Sequence, residues 1–109
     1  MSDIKEIIEK LEHFRDERDW SQFHNPKDLA LAISIESGEL LENYLWKDAN
    51  NADKEKVAEE LADIISFTFL LAKKYDFDIK KIVLDKIEKN AKKYPIEKSK
   101  GTAKKYNEL

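Results

Sequence analysis

A chain of 109 residues, 41% hydrophobic and 39% charged, makes one domain; as a monomer of that size it buries about 60 to 70% of its unfolded surface, so association with another copy would add stability. The net charge of -3 offers no global attraction to nucleic acid or to a membrane surface, and no stable nucleic-acid partner is expected. With no cysteine there is neither a disulfide frame nor a thiolate site, which fits a reducing, cytoplasmic setting. The start Met1-Ser2-Asp3-Ile4-Lys5-Glu6 lacks the basic region and apolar run of a secretory leader. The longest apolar stretch, Ile64 to Ala72, is interrupted by Ser66 and Thr68 and is far short of the roughly 20 residues that span a bilayer. A soluble protein without a membrane partner is expected.

The predicted elements are all helical. Asp3 is read as the cap of a first helix, with Glu6 closing a capping box and Ile4, Ile7, Ile8, Leu11 and Phe14 forming its apolar face until about Arg18. Asn25-Pro26 starts a second helix, because Asn caps it and Pro is tolerated where no amide bond is lost; its pattern extends to Trp46 or Lys47. After the loop Asp48 to Ala52, Asp53 caps a third helix running to about Lys74. From Ile64 to Ala72 this helix is apolar on nearly every face, which predicts burial all round, with a second subunit covering what one chain leaves open. Asp78 opens a fourth helix through Ile79, Ile82, Val83 and Ile87, and Pro95 stops it, since the residue before a proline avoids helical geometry. Residues 1–95 thus form an all-α helical domain. Residues 96–109, with Gly101 and four lysines, read as a basic tail that is either loose or ordered over a ligand.

Four carboxylates stand where this periodicity asks for hydrophobic residues. Leu29, Ile33, Glu36, Leu40 and Asn43 line one stripe, and Val57, Glu60, Ile64, Phe67 and Leu71 line another. Glu36 pairs with Glu39 and Glu60 with Asp63, each at i,i+3 spacing, so each pair leaves neighbouring turns of one helix face. In a chain with 23 acidic residues, ExxE and ExxD arise by chance on solvated faces. Two pairs on two apolar seams are harder to dismiss, because burying an unpartnered carboxylate costs several kcal/mol or forces it to take up a proton. Divalent cations relieve all four together, and hard oxygen ligands suit Mg²⁺, with Mn²⁺ as a substitute.

The fourth helix shows the same irregularity with the opposite sign. Lys86 lies seven residues beyond Ile79 and Asn90 seven beyond Val83, extending an apolar face with groups suited to phosphate oxygens; a solvated surface is the plainer reading. From Lys86 to Leu109 there are eight lysines against three acids. Near the first two helices, Trp20 and His24 lie close in sequence, and Trp46 follows later. Such rings can form a stacking platform for a base, but core filling is the plainer reading of either tryptophan, and a local hydrogen-bonding or capping role that of His24.

Several motifs converge on one family. They are Phe14-Arg15-x-x-Arg18-Asp19-Trp20-x-x-Phe23-His24-x-Pro26, Glu36-x-Gly38-Glu39-Leu40 with Trp46-Lys47, Glu59-Glu60-Leu61-x-Asp63, Lys86-x-x-x-Asn90-x-x-x-Tyr94-Pro95 and the terminal Lys105-Tyr106-x-Glu108-Leu109. Together they resemble the MazG-like all-α nucleoside triphosphate pyrophosphatases, and within them the dCTP pyrophosphatases, over almost the whole chain from Phe14. The 20 residues between Glu39 and Glu60 fit the spacer between the family's two acidic pairs.

The resemblance implies a four-helix bundle completed by dimerisation, with two dimers often joining as a tetramer. The implied activity is hydrolysis of a deoxynucleoside triphosphate to monophosphate and pyrophosphate in nucleotide-pool sanitation. Glu36, Glu39, Glu60 and Asp63 would hold Mg²⁺, and Glu36 or Glu39 would help activate water. Trp20 and Trp46 would frame the base, with His24 and Phe67 nearby, and Lys86, Asn90 and Tyr94 would contact sugar or phosphates. Leu11 and Phe67 depart from the dCTP pyrophosphatase pattern, standing where a histidine and a tyrosine are expected. Losing those polar handles opens the pocket to dATP or several pyrimidine nucleotides, because hydrogen-bond partners discriminate bases better than stacking does. Two other classes fit less of the sequence. A di-iron bundle needs Glu-x-x-His pairs, which neither His13 nor His24 supplies. A non-enzymatic helical interaction module would place the acids on a solvated groove.

Overall fold

Helix α1 (Asp3–Glu17) begins one residue earlier in its capping than its sequence suggests. Ser2 is the cap, its hydroxyl accepting from the Lys5 amide at 3.1 Å, and Asp3 becomes the first helical residue, where its charge favours the positive end of the helix. In the computed structural model, which describes residues 2–109, Met1 of the segment read as leaderless lies outside the described residues. The helix ends in a Schellman motif. Asp19 takes a left-handed φ of 54°, and the amides of Asp19 and Trp20 donate to the carbonyls of Asp16 and Arg15. The motif's hydrophobic contact is Trp20 edge-on to Phe14, with ring centroids 5.9 Å apart. Arg18-Asp19-Trp20 is therefore first a helix stop, and its geometry fixes where the indole lies.

Helix α2 (Pro26–Glu42) is capped by Asn25, whose side chain accepts from the Asp28 amide at 2.9 Å. It ends at Glu42, short of the expected Trp46 or Lys47. Turns carry the chain through Tyr44 and Leu45 to Trp46, whose φ of 62° is left-handed. A bulky aromatic rarely adopts that conformation, and it cannot extend an α-helix. Helix α3 (Lys54–Lys74) is capped by Asp53, which accepts from Glu55 and Lys56, and closes on a second Schellman motif with Asp76 at φ 54°.

The chain divides into two compact units, Met1–Phe77 and Asp78–Leu109. In the first, α3 packs chiefly against α2 and less extensively against α1. Among the described residues, Leu29, Leu70 and Ala72 form the buried core. The all-round burial expected for Ile64 to Ala72 is not met within one chain: Ile65 stays 46% exposed while Leu70 is at 5%. Leu31, Ile35, Leu41, Leu45 and Leu61 are also exposed.

The second unit holds α4 (Ile79–Lys93), capped by Asp78 through the Lys81 amide, and the short α5 (Ile96–Ser99) beyond Pro95. The segment read as a tail has local order of its own. Gly101 turns it at φ 81°, and Tyr106 returns to α4's end, edge-on to Tyr94 at 6.2 Å and beneath Lys93. No strand occurs among the described residues, and no helix is long and apolar enough to cross a membrane.

Candidate active site

The hairpin of α2 and α3 explains why acids far apart in sequence meet. Glu36 lies six residues before the end of α2 and Glu60 six residues after the start of α3, so antiparallel pairing sets them at one level. One carboxylate oxygen from each of Glu36, Glu60 and Asp63 lies within 4.8 Å of the others. One oxygen of Glu36 and one of Glu60 are buried without any hydrogen-bond partner. Acceptor-only groups left in this state fit a hard cation, which would satisfy both oxygens and the like charges at once. Glu39, one turn along α2, is exposed and lies outside this three-oxygen cluster.

Burial first, then the neighbouring Glu39 and Glu60 carboxyls, and finally the charges of Glu39 and Asp63 push the Glu36 pKa up from 4.5 to about 7. Between those values the metal-free folded chain keeps a proton that the unfolded chain has lost. Its stability is therefore expected to fall as pH rises through that window, with a limiting slope of about 1.4 kcal/mol per pH unit for one proton. Melting in EDTA between about pH 5 and pH 8 checks this, with millimolar Mg²⁺ removing the decline and Glu36→Gln flattening it. A metal-free profile that rises with pH over the window would contradict the assignment.

Beside the cluster opens a cleft of about 280 Å³ lined by residues from α1, α3 and the Trp20–His24 connection. It brings Trp20, His24 and Phe67 together with Asp63. The His24 ring meets Phe67 edge-on at 6.3 Å, and its Nδ1 is buried and unpartnered. Burial lowers the His24 pKa, assisted by the charges of Arg15 and Lys74, so the ring is neutral near pH 7.

Trp46 does not line this cleft and is fully exposed. Lys86, Asn90 and Tyr94 belong to the second unit: the first two are exposed on α4, and Tyr94 is half-buried against Tyr106.

The cleft also contains Arg15 and Ser66, which the expected site lacks. Their signal is present in the periodicity. Ile4, Ile8, Leu11 and Arg15 share one stripe of α1, so Arg15 is a charge on an apolar face, as the acids are. Asp63, Ser66, Phe67 and Leu70 share one face of α3 in the same way.

Comparison with known proteins places the chain in a family. The model of the MazG-like family matches residues 31–109. Over 104 residues the chain is 40% identical to dCTP pyrophosphatase 1 of Rattus norvegicus and 36% identical to that of Homo sapiens, covering 88% of this chain. It spans 61% of the length of these curated relatives. The crystal structure of a pyrophosphatase from Archaeoglobus fulgidus is similar with a TM-score of 0.81 and 35% identity, over 87% of this chain and 94% of that one. By the extent of these matches and by its all-helical architecture, the chain belongs to the MazG-like family.

Proposed function

We propose that this chain is a divalent-metal-dependent hydrolase that splits deoxynucleoside triphosphates between the α and β phosphates. The substrate is dCTP or a related nucleotide, with dATP as a further candidate. The observation that carries this reading is the crowding of Glu36, Glu60 and Asp63 within 4.8 Å, with two unpartnered oxygens, against a cleft of nucleobase size. The dCTP pyrophosphatase name of the relatives supports the same substrate class.

Glu36, Glu60 and Asp63 would hold the cation, with Glu39, one turn from Glu36 on α2, as the fourth ligand. When bound, Mg²⁺ or Mn²⁺ would neutralise triphosphate charge and lower the barrier to attack on phosphorus. Glu36 or Glu39 takes the proton of the attacking water. One P–O bond forms to that water, the α–β P–O bond breaks, and its electron pair leaves with pyrophosphate. Trp20 stacks on the base, neutral His24 and Phe67 bound its edge, and Lys86, Asn90 and Tyr94 contact sugar or phosphates. Trp46, fully exposed and outside the cleft of its own chain, reaches a base only from a second copy.

The small core of one chain and its exposed apolar residues support assembly as a homodimer or a tetramer. Residues 96–109 order over the bound nucleotide, and the biology is nucleotide-pool sanitation in the cytoplasm.

A panel of deoxynucleoside triphosphates with Mg²⁺ tests the reading, pyrophosphate and orthophosphate being measured separately. Stoichiometric pyrophosphate and monophosphate are expected, with no product in EDTA. Release of orthophosphate, or of nothing from any nucleotide, would overturn it.

A further inference from the structure

The cleft beside the carboxylates holds a hydrogen-bonding pattern that its aromatic walls do not explain. Arg15 lines it with a side chain only 12% exposed. The guanidinium is held from one side: Nε donates to Asp16 Oδ1 at 2.9 Å, and Nη2 lies 3.8 Å from Glu12. That leaves the parallel pair of N–H bonds at the end of the fork, one from each Nη, with no hydrogen-bond partner among the described residues. Across the cleft lining, Ser66 donates its hydroxyl hydrogen to the Ala62 carbonyl at 2.7 Å. Its oxygen is therefore an acceptor toward anything that enters.

Two donors and one acceptor on the lining of one cleft are the complement of one base edge. Cytosine presents two adjacent acceptors, O2 and N3, and then a donor, its 4-amino group. Uracil and thymine present acceptor, donor, acceptor; guanine presents acceptor, donor, donor on the same edge and has its adjacent acceptors, O6 and N7, on the other edge of a two-ring base; adenine has no adjacent pair of acceptors there. A guanidinium fork reads two adjacent acceptors as a unit. His24, neutral and with one donor and one acceptor nitrogen, suits several bases and does not separate them. Leu11 and Phe67 add only apolar wall.

We infer that Arg15 and Ser66 read the base in this cleft, the Arg15 fork engaging O2 and N3 of cytosine and Ser66 Oγ accepting from its amino group. The inference rests on the nucleotide-hydrolase reading above and deepens it. In uracil or thymine, N3–H points a donor at a donor, and the 4-oxo group is matched only if Ser66 gives up its bond to the Ala62 carbonyl. Discrimination then comes from unpaired polar groups in a confined site, which stacking alone cannot supply.

The test is steady-state pyrophosphate release from dCTP and dUTP by the full chain and by Arg15→Leu, Arg15→Lys and Ser66→Ala. The wild type is expected to favour dCTP in kcat/KM. Each Arg15 variant should lower kcat/KM for dCTP by about 10- to 100-fold, mainly through KM, and lower it much less for dUTP, so that the preference collapses. Arg15→Lys is the sharper variant, since it keeps the charge and loses only the fork. Ser66→Ala should reduce the dCTP preference by about 10-fold through loss of the acceptor. Equal losses for both substrates would assign Arg15 a structural role and overturn the inference, as would a wild type indifferent to the base. Pyrophosphate release with an unchanged substrate ratio defeats this inference alone. A wild type that releases none from any nucleotide defeats the hydrolase reading and this one with it.

Discussion

Replacing Glu60 with glutamine is expected to lower pyrophosphate release to below about one-thousandth of the wild-type rate, a loss of roughly 4 kcal/mol of transition-state stabilisation. The chain should remain folded. Glu60 Oε2 is buried with no protein partner, and a neighbouring oxygen each from Glu36 and Asp63 lies within 4.8 Å. Without a cation the wild type carries this crowding as repulsion and as a proton trapped on Glu36. An isosteric amide removes one charge from the cluster, so metal-free melting should hold steady or rise. The same change removes a hard ligand, so the rise in melting temperature with millimolar Mg²⁺ should shrink along with activity. Near-normal turnover at saturating Mg²⁺ would remove Glu60 from the metal site. A fall in melting temperature without a cation would mean that the carboxylate holds the helices together in another way.

Leu29→Ala is expected to cost about 2 to 5 kcal/mol, against a total stability on the order of 5 to 15 kcal/mol for a chain of this length. Among the described residues Leu29 is the most buried side chain, at 1% exposure, in a core that otherwise consists of Leu70 and Ala72. It lies two turns before Glu36 on the same stripe of α2, so its packing sets how that helix seats on α3. The substitution should therefore weaken Mg²⁺ binding as well as stability. Urea unfolding of the metal-free chain measures the first effect, and a Mg²⁺ titration followed by melting temperature measures the second. An exposed counterpart gives the contrast: Ile35→Ala, at 61% exposure, should leave the metal-free chain within about 0.5 kcal/mol of wild type. A loss that grows as Ile35→Ala is diluted would instead place that residue between subunits. Stability of Leu29→Ala equal to wild type would show that the α2 and α3 seam does not carry the fold.

Much of the molecule is set by interactions between residues at most four apart, and these are legible in the order of residues alone. Asn25, Asp53 and Asp78 cap the helices they announce, because a side-chain oxygen needs only the amides two or three positions ahead. The acidic pairs at Glu36 and Glu60 betray themselves by interrupting an apolar period, which is also a local property. Where two neighbours compete for one role, local rules do not choose, and Ser2 rather than Asp3 became the cap of α1. The end of α2 carries no Gly or Pro, so its stop at Glu42 depended on the turn that sets Trp46 in left-handed geometry.

The site itself required the tertiary structure. Spacing of i,i+3 leaves a residue about 60° off its partner around the helix, so only the seating of α2 on α3 decides that Glu36 enters the three-oxygen cluster while Glu39 stays at its exposed edge. The same holds for the cleft. Arg15 belongs to α1 and Ser66 to α3, 51 positions apart, and no periodicity within one helix relates them. Their meeting follows from the packing of α1 on α3, which converts one out-of-place charge and one out-of-place hydroxyl into two sides of the same cavity.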